Sequence, residues 1–207
     1  MKLHPLSIAA LGIVAAVILG GLLAILIPVP ERAPAVQGET PVAVPIGGPF
    51  TLTNGEGKSV TEKDFAGRYM LVFFGFTHCP DICPTTLEHI GRTLVALGGD
   101  AKAITPIFIS VDPERDTPET VSDYAQFYDK RIVGLTGTPE QVSAAAKAYK
   151  VYFQKVELGG GDYTIDHSTL IYLMGPDGKF RAVLRTDDPP EAVAAQIAEI
   201  LRADRTG

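Results

Sequence analysis

The 207-residue chain has two cysteines, Cys79 and Cys83, set in a stretch from Tyr69 to Leu87 whose other residues dictate how the thiols are presented. Thiols at this spacing can hold a soft metal or exchange with disulfides. Pro80 and Pro84 follow them directly, and a proline disfavours the helical region for the residue before it, so both cysteines are expected in a loop. Pro84 suits a first helical position, and Leu87, Ile90, Leu94 and Leu97 recur at helical spacing until Gly98 and Gly99. This predicts a helix starting just after Cys83, with free N–H groups and a dipole that favour a thiolate at Cys83. One regular helical turn would leave the two Cβ atoms about 5–6 Å apart, whereas an unstrained disulfide needs about 3.5–4.5 Å. A loop closes that gap and a metal tolerates it. The bland alternative is two small buried residues that happen to be neighbours.

Four histidines are available to join the pair. His4 precedes an apolar span, and His89, six residues past Cys83, lies about 240° round the predicted helix; neither is a candidate ligand. His78 adjoins Cys79, but adjacent side chains diverge, and it reads as a solvent-facing loop residue. His167 stands in DYTIDHSTLIYLM, between two acids and an apolar run. On the residues alone a structural loop histidine is the more ordinary reading and a third ligand the sharper one. Asp166 reads as a solvent-facing acid, and Asp112 and Asp116 as turn and capping residues around Thr117.

These groups need a scaffold. Met70 to Phe74 has the length and composition of a buried central strand ending just before the cysteines. Ahead of it, Phe50–Thr53 and Lys58–Val60 flank the turn Asn54-Gly55-Glu56-Gly57, and Thr61 with Asp64 forms a capping box for a brief helical turn. Beyond it, Ile104–Val111 reads as a strand and Thr117-Pro118 opens a helix. Ile132–Leu135 is again a strand, and Thr138-Pro139-Glu140-Gln141 opens another helix. Val151–Val156 and Thr164–Met174 are strand-like around Gly159-Gly160-Gly161, a flexible excursion. Gly175-Pro176-Asp177-Gly178 turns the chain into Phe180–Leu184, and a helix follows Pro190. The fold class is α/β: a central mixed sheet flanked by helices, with a cysteine pair at the end of an inner strand and a closing ββα unit, a thioredoxin-like arrangement.

Upstream, Leu6 to Ile27 carries no charge, and these 22 residues exceed the about 20 that cross a bilayer. One N-terminal transmembrane helix is the simplest reading. A cleaved signal peptide is the alternative, because Ala33-Pro34-Ala35 imitates a small-residue cleavage site. Lys2 ahead of the span places the N-terminus in the cytoplasm and the globular part outside. The expected organisation is an anchor over 1–29, a proline-rich linker over 30–48 that does not pack against the domain, and a soluble domain over 49–207. A net charge of −6 without a basic block argues against nucleic acid as a partner.

Four ordered motifs, GGPFTL, FFGFTHCPDICPTTL, VDPERDTPE and DHSTLIYLMGPDGKF, together resemble the Sco/SenC family of membrane-anchored copper proteins, over roughly Gly47 to the C-terminus. The resemblance implies a thioredoxin-like fold and copper binding, as Cu(I) or Cu(II), one per chain, by Cys79, Cys83 and His167. It also implies a role in building the CuA centre of cytochrome c oxidase; the expected bacterial inner membrane and periplasm rest instead on the span, which leaves no room upstream of Leu6 for an organellar transit peptide. The partners the resemblance implies are the CuA-bearing subunit and, further, other periplasmic copper chaperones. The donor set agrees with that chemistry: thiolates suit Cu(I), and an added imidazole suits Cu(II). Zinc also accepts such donors, but a closed structural zinc site normally has four protein ligands.

Copper delivery involves no turnover. Its rival is an enzyme, a thiol-disulfide oxidoreductase acting on the cysteines of a copper-accepting partner, with Cys79 and Cys83 as the redox pair. Three residues between the cysteines, and no proline immediately before His167, lean away from it. A thiol peroxidase reading of Cys83-Pro84-Thr85 fails at Pro80, where that motif wants Thr or Ser.

Overall fold

Asn54 reverses the chain between β1 (Thr51–Asn54) and β2 (Ser59–Thr61), an antiparallel hairpin in the computed structural model, which describes residues 45–206. Its Oδ1 accepts from the backbone N–H groups of Glu56 and Lys58 at 3.1 and 3.0 Å. The Thr61–Asp64 capping box then closes a 3-10 turn over Glu62–Phe65. All seven residues of β3 (Tyr69–Gly75) are buried. Successive side chains point to opposite faces, so the sheet is covered on both sides at this strand.

Helix α1 (Ile82–Ala96) follows, burying Leu87, Ile90 and Leu94, and a 3-10 turn over Gly98–Ala103 leads into β4 (Ile104–Ser110). Thr117 and Thr138 cap α2 (Pro118–Tyr128) and α3 (Pro139–Ala148), accepting from the N–H groups of Thr120 and Gln141, with β5 (Val133–Thr136) between the two helices. Each has its proline in the first turn, where a missing N–H costs nothing. The chain closes with β6 (Phe153–Gly159), β7 (Asp162–His167), β8 (Ile171–Met174), β9 (Phe180–Leu184) and α4 (Pro190–Thr206).

Seven strands form one sheet in the order β2-β1-β5-β4-β3-β8-β9, while β6 and β7 pair only with each other. β3 is parallel to β4 and antiparallel to β8, and β4 is parallel to β5, so the sheet is mixed and β3 lies inside it, as expected. Two expectations need correction. Thr164–Met174 is two strands with different partners, because the ladder from β6 ends at His167 and the next residues cross to the main sheet. The end of the linker is part of the folded unit: Ile46 packs on the core and Gly47 donates its N–H to Ala148 O at 3.0 Å. Gly159, Gly160 and Gly161 all have positive φ and make the tip of the β6–β7 hairpin. The apolar span Leu6–Ile27 lies outside the described residues. Among the described residues no helix is long and apolar enough to cross a membrane.

Helix α2 crosses β5 at Gly134, where a Cβ would stand 2.5 Å from Val121 O and 2.8 Å from Ser122 N. Both are backbone atoms and cannot rotate away. Gly134→Ala should therefore lower stability by about 1–3 kcal/mol, the usual cost of overpacking. Urea unfolding followed by circular dichroism checks this, and a wild-type midpoint would contradict the packing.

Candidate metal centre

β3 delivers the chain to the site. Phe76 follows it, almost wholly buried, and the Cys79 N–H turns back to Phe76 O at 3.3 Å. The helix begins earlier than expected, with Asp81 as N-cap and Ile82 as first residue, so Cys83 lies inside its first turn. Pro84 permits this because the first-turn N–H groups have no intrahelical partner to lose. Cys79 remains in the loop, half-buried, while Cys83 is fully buried.

That half-turn difference makes the thiols unlike. The Cys83 N–H donates to Cys79 Sγ at 3.5 Å, so a sulfur occupies the place of a helix cap. The Cys79 thiol is pulled down to about 5, first by a hydrogen bond from the Cys83 thiol and then by the backbone N–H groups of Asp81 and Cys83. Cys83 is pushed up, first as donor to the Cys79 sulfur and then by its burial. The thiolate expected at Cys83 thus belongs to Cys79, whose sulfur faces the free N–H groups while that of Cys83 points into the core.

His167, the last residue of β7, completes the group. Its Nε2 lies 3.6 Å from Cys83 Sγ, and both sulfurs and a ring nitrogen all fall within 4.8 Å of one another. The ring meets Phe76 edge-on at 5.7 Å and Phe73 at 6.2 Å. Nδ1 lies 2.9 Å from Ser168 O; a carbonyl only accepts, so Nδ1 carries a proton and Nε2 is the ring nitrogen that faces the cysteines. Two sulfurs and one nitrogen make a donor set for copper or zinc, one protein ligand short of a closed structural zinc site. Asp166 is exposed and takes no part.

The other histidines stand apart. His89 donates from Nε2 to Asp188 O at 2.8 Å. His78 is half-exposed, with Nδ1 3.1 Å from Thr77 Oγ1 and 3.6 Å from Asp116 Oδ1. It gathers with Asp112 and Asp116, but the oxygens of those two buried carboxylates are taken by the chain itself. Asp116 accepts from Thr77 N at 3.0 Å, Thr77 Oγ1 at 2.5 Å and Ser110 Oγ at 2.5 Å. Asp112 accepts from Arg115 Nε at 2.6 Å and Tyr163 Oη at 2.7 Å. Burial and that bond push the Tyr163 hydroxyl up to about 12.

Gly75, Arg115 and Tyr163 were not evident as site residues. A Cβ on Gly75 would lie 2.6 Å from Cys83 Sγ and 2.8 Å from the Phe108 ring, so only glycine leaves room for the sulfur. A glycine inside a strand is a recognisable sign of close approach. Nothing local marks Tyr163, whose partner is 51 residues away.

A family model described as SCO1/SenC matches residues 38–202. The human mitochondrial protein SCO1 homolog is 41% identical over 163 residues, which cover 77% of this chain and 54% of that protein. The chain spans about half the length of the relatives of this kind that it matches. The copper-bound structure of Bradyrhizobium japonicum ScoI is 48% identical with a TM-score of 0.70, covering 75% of this chain and 99% of that one. BsSco, described as a member of the Sco family of cytochrome c oxidase assembly proteins with a disulfide switch, is 28% identical with a TM-score of 0.59, covering 76% and 94%.

The unlike thiols are open to test in metal-free, reduced protein. Iodoacetamide should modify Cys79 well before Cys83. Its rate should hold from about pH 8 to about pH 6 and fall as pH drops through about 5, because the reactive thiolate of a lowered thiol is present above its pKa and lost below. Mass spectrometry of the alkylated peptides reads the order. Prior modification of Cys83, or a midpoint near that of free cysteine, would contradict the assignment.

Proposed function

Because the chain belongs to the SCO1/SenC family, we propose that it is a copper metallochaperone that binds one copper ion, as Cu(I) or Cu(II), through Cys79, Cys83 and His167. It delivers the ion to, or prepares the cysteines of, the CuA centre of cytochrome c oxidase during assembly. The observation that carries this is the convergence of the three donors within 4.8 Å. Two sulfurs supply what Cu(I) prefers, and the imidazole adds the nitrogen that Cu(II) wants. Copper is cargo here, and the chain's own work is to hold and orient donors. Ser168 O keeps the Nδ1 proton in place, and Gly75 makes room for Cys83 Sγ. Three protein ligands suit a metal that is passed on better than one that is sealed in. The copper in the related ScoI structure and the assembly role stated for the Sco family support the same reading.

The proposed setting is a single-pass anchor over 1–29 in a bacterial inner membrane, a linker that ends before Ile46 and the copper-binding domain beyond it facing the periplasm. The uncharged span Leu6–Ile27 behind Lys2 supports it. The inequality of the thiols favours a second activity of the same pair, thiol-disulfide exchange. The Cys79 thiolate attacks a disulfide of the copper-accepting partner, forming a mixed disulfide and releasing one partner thiolate. Cys83 then gives up its proton and attacks Cys79 Sγ, releasing the second partner thiol; two electrons pass to the partner and a Cys79–Cys83 disulfide remains.

His167 separates the two roles. Titration of the reduced protein with Cu(I) and Cu(II) should give one copper per chain, lost for both ions in Cys79→Ser. His167→Ala should lose Cu(II) binding while keeping partial Cu(I) binding and a near wild-type rate of disulfide exchange. Wild-type protein that takes up no copper, or a Cys79→Ser variant that binds it normally, would sink the copper assignment.

A further inference from the structure

The β6–β7 hairpin that carries His167 makes no ladder with the seven-stranded sheet. Its own base is closed by Tyr152 N donating to Ser168 Oγ at 3.1 Å and Ser168 N donating to Tyr152 O at 2.9 Å, which ties the hairpin to itself. Apolar packing seats it, with Ile165 in the core and Phe153 and Tyr163 against that core, and beyond His167 its polar contacts to the rest of the domain come from the loop between β4 and α2. From that loop Asp112 takes the Tyr163 hydroxyl at 2.7 Å, and Arg115 donates from Nη1 to Tyr163 O at 3.0 Å with its guanidinium 3.6 Å over the Tyr163 ring. A second bond, Arg115 Nε to Asp112 Oδ2 at 2.6 Å, locks the two gripping residues together. Tyr163 is four residues before His167 on the same strand.

The same loop holds the other half of the site. Asp116 binds both the N–H and the hydroxyl of Thr77, two residues before Cys79. Ser110 Oγ donates to Asp116 at 2.5 Å and accepts the N–H of Asp112 at 3.0 Å, joining the two carboxylates into one network. Asp112 and Asp116 are 2% and 1% exposed, so neither bond competes with bulk water. One short loop thus grips the histidine-bearing hairpin with one carboxylate and the cysteine loop with the other.

We propose that Asp112, Arg115 and Tyr163 are positioning residues that hold His167 at the cysteine pair and thereby set how well the site retains Cu(II) relative to Cu(I). This rests on the copper reading above for its metal arm only. Two thiolates do not depend on the hairpin, whereas the imidazole arrives on it. The grip is therefore felt in the form of copper that requires nitrogen.

Tyr163→Phe removes one hydroxyl and keeps the ring beneath Arg115. In metal-free protein it should speed amide hydrogen exchange in Phe153–His167 by roughly tenfold, with β3, β4 and β5 unchanged. In copper titrations it should weaken Cu(II) by about tenfold, within the range for groups that orient a ligand, and leave Cu(I) within about twofold. Asp112→Asn, which keeps an acceptor for the hydroxyl but turns an amide N–H2 toward Arg115 Nε where a carboxylate oxygen accepted, should free the hairpin at least as much. Unchanged hairpin exchange in Tyr163→Phe, or equal loss of Cu(I) and Cu(II) together with faster exchange across the main sheet, would overturn the proposal. Wild-type protein that binds no Cu(II) while Tyr163→Phe still frees the hairpin would overturn the copper reading and leave the positioning of His167 standing.

Discussion

The antiparallel pairing of β3 with β8 is the constraint on which the site depends. Phe73 lies opposite Ile171, so the chain leaving β3 and the chain entering β8 pass each other at one end of the sheet. Cys83 and His167, 84 residues apart, meet there. All four residues of β8 are buried, and a slip of one position would exchange every side chain between two close-packed faces. The register of the core is thus also the register of the donors.

Within that frame, equal spacing produces unequal sulfurs. Cys79 lies outside the helix, against N–H groups that no carbonyl claims, and Cys83 lies inside it, against Gly75 and the core. An anion is favoured in the first place and opposed in the second by burial. A metal that takes both sulfurs must displace the Cys83 proton, so uptake releases protons to solvent. The imidazole is oriented from its far side, where Nδ1 donates to Ser168 O and turns Nε2 toward the sulfurs.

Local signals were the legible ones. The Thr138-Pro139-Glu140-Gln141 cap, the Asn54–Gly57 turn and the apolar strand at Met70–Phe74 are each decided by residues a few positions apart, and each stands in the structure where the pattern puts it. Where partners are distant, reading failed by degrees. Thr164–Met174 looked like one strand because its apolar run is continuous, whereas the change of partner after His167 is a tertiary event. The rule that a residue before proline avoids the helix misplaced the thiolate, because Pro84 costs a first turn nothing and α1 reaches back to Ile82. For His167, residue type and neighbours favoured an ordinary loop histidine, and only the ordered motifs around it pointed to a ligand. The grip of Asp112 on Tyr163 had no local trace at all.

Gly75 carries a different kind of consequence. Its backbone is not in the left-handed region that glycine alone enters freely, so its torsion angles would accept other residues. Yet any other residue brings a Cβ into the space held by Cys83 Sγ and the Phe108 ring. The restriction comes from a neighbour's sulfur rather than from the chain's own geometry, and it ties two positions into one inheritable unit. A lineage that kept this cysteine would be held to glycine eight residues upstream, and drift at position 75 would become tolerable only after the thiol had been given up.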